Sequence, residues 1–330
     1  MAVKQEITAA LARYFTPQEV ALVLKALPPL KTPVMDLVYP ESRRRQKATP
    51  YISIAEIKDR TGAAPVVRKG TRSVPLDTGA VSGQLLEPEA FNPSIFSKAS
   101  ELNQLFALGM GTGVQAFIRD AIETLRNACR EGTEIMAAQS LSGAIDYPMA
   151  TESGSFLSYK VQYGTIKTLS AANIAGAEYG ALHQILEETY AEQQNSGYAG
   201  KIRFLCAPDV YAAIINIVIS KSAIPSTFTG DGLVIEGKYH ILPFGHTYKK
   251  PGESNASPVI PEKFIQTIDL DAPHTLFYCA IDDLDANLAP MPFYAKPKFS
   301  DDPSGVKIIG NSKPLPAPVL SAMRRRKLLS

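Results

Sequence analysis

The chain has 330 residues, of which 45% are apolar, with 34 basic side chains against 32 acidic ones and a formal net charge of +2. That length and apolar content bury a substantial core, and the near balance of charge gives no overall attraction to a polyanion or a membrane surface. No stretch approaches a membrane span, the opening MAVKQEITAALARYF lacks the apolar core and cleavage site of a secretory signal, and a soluble chain made inside the cell is expected.

In chain order, Ile7, Leu11 and Phe15 share one helical face, and Thr16 followed by Pro17 marks the start of a second helix running to about Ala26, ended by Pro28 and Pro29. Neither helix buries much by itself, so both are expected to lean on another surface. From about Val34 to Phe96 the residues alternate as thin, polar strands around Tyr51–Glu56 and Val66–Val74, interrupted by Gly62, Gly70 and Gly79. A two-stranded excursion of this kind is marginal in water without a neighbour to support it.

The strongest periodicity follows: Val114, Phe117, Ile118, Ala121, Ile122, Leu125, Ala128, Cys129 and Ile135 predict one amphipathic helix from Gly113 to Leu141, ended by Gly143. At 1.5 Å per residue it extends roughly 45 Å. Paired strands with a turn at Glu152–Gly154 come next, then a helix over Asn173–Gln194, a strand at Ile202–Cys206 and a helix at Asp209–Ser220. Further strands are expected at Leu233–Ile235, Tyr239–Pro243, Thr275–Ala280 and Val306–Asn311. The proline-rich ending SKPLPAPVLSAMRRRKLLS predicts an extended path over a surface.

Catalytic and metal chemistry find little support. Cys129, Cys206 and Cys279 lie far apart in apolar surroundings and read as core residues; His183, His240, His246 and His274 never take ligand spacing. Asp282, Asp283 and Asp285 lack the glycine and distal glutamate of a calcium loop and read as a solvated acidic turn. Gly109, Gly111 and Gly113 precede a helix but have no preceding apolar strand and no phosphate-binding lysine, so they read as a hinge. No catalytic site and no cofactor are expected. The basic runs Arg43–Lys47 and Arg324–Lys327 carry no interleaved aromatics; Arg324, Arg325, Arg326 and Lys327 are candidates for contact with nucleic-acid phosphates or with a partner protein.

Two segments carry a family resemblance. TEIMAAQSLSGAIDY, Thr133 to Tyr147, and DDPSGVKIIGNSKPLPAPV, Asp301 to Val319, resemble segments of the lambda-type major capsid proteins of tailed bacteriophages, and APVVRKGTRSVPLDTG and PEAFNPSIF agree more weakly in the same order. The resemblance implies an α+β fold of the Hong Kong 97 type. Its expected parts are an N-terminal arm (1–46), an extended β-hairpin loop (47–96), a peripheral domain with the spine helix and a β-hairpin (97–170), an axial domain (171–290), and a closing peripheral strand with an extended tail (291–330). It implies a structural protein that assembles with itself as pentamers and hexamers of an icosahedral head around double-stranded DNA, with scaffold, portal and decoration proteins as further partners, in a virion made in the bacterial cytoplasm. Arg68, Lys69, Gly70 and Arg72 at the loop tip are then expected to touch neighbouring subunits, with Gly79 and the Gly109–Gly113 run as further points of bending. No lysine–asparagine pair for covalent cross-linking is identifiable, so a non-covalent shell is expected. The family's common tryptophan is missing, for the chain has none. An encapsulin-like compartment of the same fold and, from another class, a nucleotide-binding enzyme are the alternatives.

Overall fold

The computed structural model describes residues 15, 17–27, 31–53, 85–107, 112–151, 154–220 and 224–330. One long helix, Thr112–Ser140, organises the fold. Along its first half the buried residues among those described form one stripe: Ile118, Ala121, Ile122, Leu125 and Cys129 recur at three- and four-residue steps and pack with Phe293, Ala295, Val306 and Ile308. Val306 and Ile308 belong to a three-stranded antiparallel sheet in which strand Ser304–Asn311 lies between Tyr294–Asp301 and Ser94–Lys98. Approach is close here, since a Cβ added at Gly310 would stand 3.0 Å from both Leu125 and Phe293. Phe15 and Val20, the latter on helix Pro17–Ala26, join this cluster, so the short helix does lean on a larger body.

Towards its C-terminus the long helix becomes buried nearly all round. Met136 packs with Ile52, Ile145, Val161, Cys279 and Leu315, while Ala137, Ala138 and Leu141 enter the largest core. That core belongs to a seven-stranded mixed sheet in the spatial order Lys167–Thr168, Met323–Lys327, Phe264–Asp269, Ile202–Cys206, Tyr239–Pro243, Gly232–Ile235, Ser226–Thr229. Helices Tyr179–Asn195 and Pro208–Ile219 pack on it through Leu182, Leu186, Val210 and Ile214, all at 1% exposure or less. Fully burying a side chain of this kind contributes about 1.5–3 kcal/mol. Strand Thr275–Cys279 stands apart from the large sheet, between Arg44–Lys47 and Pro314–Ala317.

Several elements correct the sequence reading. The helix expected from Asn173 begins only at Tyr179, because the backbone N–H groups of Ala172 and Ile174 donate to the carbonyls of Lys327 and Leu328, and Gly176 turns at φ +68°. Strands Phe264–Asp269 and Tyr294–Asp301 were not expected. Phe264–Asp269 is central and buried on both faces, and Gln266, Thr267 and Asp269 break the apolar pattern that would betray it. Most clearly, the chain's ending does not run over a surface. Pro314–Ala317 is a fully buried strand, and Met323–Lys327 is the second strand of the large sheet, between Lys167–Thr168 and Phe264–Asp269.

Candidate functional site

The functional candidates are the segments that fix the shape of the chain and the surfaces it presents. The first is the end of the long helix. In TEIMAAQSLSG every polar residue has a structural partner. Thr133 Oγ1 donates to the carbonyl of Cys129 at 2.8 Å. Glu134 accepts from the backbone N–H groups of Val34 (2.6 Å) and Met35 (2.9 Å) in the first turn of helix Pro33–Val38. Burial pushes the Glu134 carboxyl above its ordinary range while these two donors pull it back. Gln139 makes a two-way clamp on Asp146, donating to its carbonyl at 2.8 Å and accepting from its N–H at 3.1 Å. Ser140 meets the Tyr39 hydroxyl at 2.8 Å. Gly143 then turns at φ +93°, where a Cβ would stand 2.4 Å from the Gly164 carbonyl oxygen. The long helix, helix Pro33–Val38 and the β-hairpin (Ala144–Ala150 with Phe156–Gln162) are thereby fixed at one junction.

The second candidate is the closing segment. Lys313, 2% exposed, reaches Asp282 at 2.7 Å and Glu87 at 3.9 Å. Ser312 exchanges backbone hydrogen bonds with Phe91 and donates its hydroxyl to the Pro292 carbonyl at 2.7 Å. His274 is fully buried: its Nδ1 accepts the Val319 N–H at 3.0 Å and its Nε2 lies 3.1 Å from the Asp269 carbonyl, the pattern of a neutral ring protonated on Nε2. Burial depresses its pKa to about 4.

The basic run is used internally. Arg324 and Arg326 are each 7% exposed. The Arg324 guanidinium donates to the carbonyls of Ser321 and Met323 and lies 3.8 Å from Glu192. Arg325 donates to Gln266 Oε1 at 2.8 Å, and Gln266 in turn donates to the Leu141 carbonyl at 2.9 Å. Arg326 forks between the Ser170 carbonyl and Glu188, both at 2.9 Å. These three guanidinium groups are therefore tied to the fold; Lys327 ends the same strand, half-buried.

Of the other sequence candidates, Arg68, Lys69, Gly70 and Arg72 lie outside the described residues, as do Gly79, Gly109 and Gly111, while Gly113 falls in the first turn of the long helix. At the foot of the expected loop, Ile52–Ser53 pairs antiparallel with Leu85–Leu86. The acidic turn is solvated at Asp282 and Asp285 and ion-paired as well: Lys296 bridges Asp283 and Asp285, each at 2.7 Å, and Asp282 takes Lys313. Among the described residues no group of three or more His, Cys, Asp or Glu is placed to hold a metal ion, and no helix is long and apolar enough to cross a membrane. Sequence reasoning missed Gln266 and Lys313, whose one signal is a polar residue set inside an otherwise strand-forming run.

The family described as phage major capsid protein E matches residues 16–323. Among solved structures, one described as a prophage capsid protein of E. coli CFT073 superposes with a TM-score of 0.57 at 14% identity, covering 98% of each chain, a likeness of fold. The capsid of an empty GTA particle (TM-score 0.45, 12% identity, 94% of this chain and 98% of that one) and a virus-like particle from Pyrococcus furiosus (0.38, 12%, 98% of each) are more distant. No curated protein sequence matches the chain.

Proposed function

Because the chain belongs to the phage major capsid protein E family, a family of shell proteins, we propose that it is the repeating subunit of an icosahedral phage head, arranged as pentamers and hexamers around double-stranded DNA. Family and fold indicate a structural role. The observation that carries the reading is the family match over residues 16–323, joined by a mixed helix-and-sheet fold shared with a prophage capsid protein.

The architecture supports it physically. A subunit of a closed shell must be a stiff wedge, since angular error at each contact accumulates around the shell. The long helix buried in three clusters, with its end tied to helix Pro33–Val38 by Glu134 and to the large sheet by Gln266, supplies that stiffness. Excursions from the body then lie over neighbours, each contact weak and the sum strong, as multivalency allows. The paired foot at Ile52–Ser53 and Leu85–Leu86 is consistent with such an excursion over 54–84, with Arg68, Lys69, Gly70 and Arg72 as its contact residues and Gly109–Gly113 as a point of bending. Scaffold, portal and decoration proteins complete the proposed set of partners, in a virion made in the bacterial cytoplasm.

Electron microscopy with sedimentation of the purified recombinant chain tests this. Closed shells, or rings of five and six that close when a scaffold is added, are expected. A small oligomer that stays small with every neighbouring phage protein present overturns the reading.

A further inference from the structure

Three arginines line one cavity. It has a volume of about 500 Å³, lies between helix Pro17–Ala26, strand Arg44–Lys47 and the long helix, and carries Arg44, Arg126 and Arg130 in its wall. Arg126 and Arg130 stand one turn apart on the long helix, a spacing at which like charges repel. Among the described residues, the wall sets these three cations against one carboxylate, Glu41. The other acids nearby are engaged: Glu134 is taken by the Val34 and Met35 N–H groups, and half-exposed Asp36 is shared between Arg44 at 3.0 Å and Arg130 at 3.6 Å. Half-buried Arg126 makes no ion pair or hydrogen bond among the described residues; burial and the charge of Arg130 depress its pKa, against the opposing pull of Glu123.

A buried hydroxyl belongs to the same cavity. Tyr278 is 7% exposed and lines it, and its hydroxyl has no hydrogen-bond partner among the described residues. The charges of Arg44 and Arg130 act on that hydroxyl, which places it on the arginine side of the cavity. Burial raises its pKa more than the two arginines lower it, so at neutral pH it remains an O–H donor. A water molecule could accept from it but would leave the clustered positive charge unanswered. An oxyanion answers both. Cationic groups and a hydroxyl that converge from separate elements match the several oxygens and the near-double charge of a phosphate group better than the flat oxygen pair of a carboxylate.

We infer that this cavity binds a phosphate-class oxyanion, held by Arg126 and Arg130 with the Tyr278 hydroxyl as a further donor and Arg44 as added positive charge. The site is a property of the single chain and does not depend on the shell reading above.

Thermal melts of the purified full chain in sodium phosphate and in sodium chloride of equal ionic strength test it, beside Arg126→Gln and Tyr278→Phe. Phosphate is expected to raise the melting temperature of the unaltered chain further than chloride does. The affinity read from that concentration dependence is expected to fall by about tenfold in Arg126→Gln, the factor of one charge-assisted hydrogen bond, and less steeply in Tyr278→Phe. In chloride alone Arg126→Gln is expected to melt no earlier than the unaltered chain, because it removes a repulsion. Equal gains from phosphate in all three proteins are a general salt effect and overturn the site. Should Arg126→Gln melt early in chloride, Tyr278→Phe decides alone, and an unchanged phosphate response overturns the assignment. A short DNA duplex then separates the sources: competition with phosphate assigns the site to a backbone phosphate, and phosphate binding that the duplex leaves unchanged assigns it to a free anion.

Discussion

Glu134 accepts the Val34 N–H at 2.6 Å across 100 residues of sequence, and its second oxygen takes the Met35 N–H beside it. A side chain near the C-terminal end of one helix thus satisfies N–H groups in the first turn of another, groups that no helix bonds within itself. Replacing Glu134 with Ala leaves both without a partner and is expected to cost about 1–3 kcal/mol, while Glu134→Gln, which keeps one acceptor, costs about half as much. Denaturant unfolding of the unassembled subunit measures both.

His274 makes the fold sensitive to acid. Its folded pKa, about 4, lies below the ordinary 6.5, so between those values the unfolded chain binds the proton that the folded one refuses. Stability from this group is complete above about pH 6.5, falls as pH drops towards about 4, and then levels, a total of about 3 kcal/mol. A charged ring would also lose its acceptor role towards Val319. Unfolding free energies between pH 7 and pH 4 are expected to show this slope, and a His274→Gln variant a shallower one.

Arg326 spans Ser170, Ile185 and Glu188 from a site 7% exposed. Arg326→Lys keeps the charge but loses the planar fork, and about 2 kcal/mol of stability is expected to go with it, discounted because Glu188 is itself 48% exposed. The melting temperature of the subunit reads this out directly.

Gly143→Ala combines a left-handed backbone with a Cβ driven against the Gly164 carbonyl. The expected loss is at least about 1–3 kcal/mol, larger than for alanine at Gly154, which has open space around it although its φ is also positive. Comparative thermal melts of the two variants give the difference.

Cys129, Cys206 and Cys279 are expected to react with a thiol reagent only after unfolding. All are buried, and burial alone pushes the Cys129 thiol up to about 12. Thiol titration with and without denaturant measures the protection.

What the sequence made legible was governed by local pattern. The long helix came out within a residue at each end, and Ile202–Cys206 and Tyr239–Pro243 fall where alternation and flanking turns put them. Phe264–Asp269 and Met323–Lys327 escaped because their polarity is answered at long range: Arg325 meets Gln266 across 59 residues and Arg326 meets Glu188 across 138, distances at which no local pattern carries information. The same blindness hid the internal partners of Arg324–Arg326 and the lysines that pair with Asp282, Asp283 and Asp285. Function was legible through resemblance, carried by Thr133–Tyr147 and Asp301–Val319; the structure gives those segments physical reasons in Glu134, Gln139, Gly143 and Lys313.

Strand Met323–Lys327 is the last of its seven in chain order, yet it lies between Lys167–Thr168 and Phe264–Asp269. During synthesis the large sheet therefore waits with an open edge, and short strand Lys167–Thr168 has nothing to join. A chain that stops before residue 323 leaves Phe264–Asp269 as an open sheet edge, a template for pairing with other chains. The large sheet is therefore complete only in a chain that extends through Lys327.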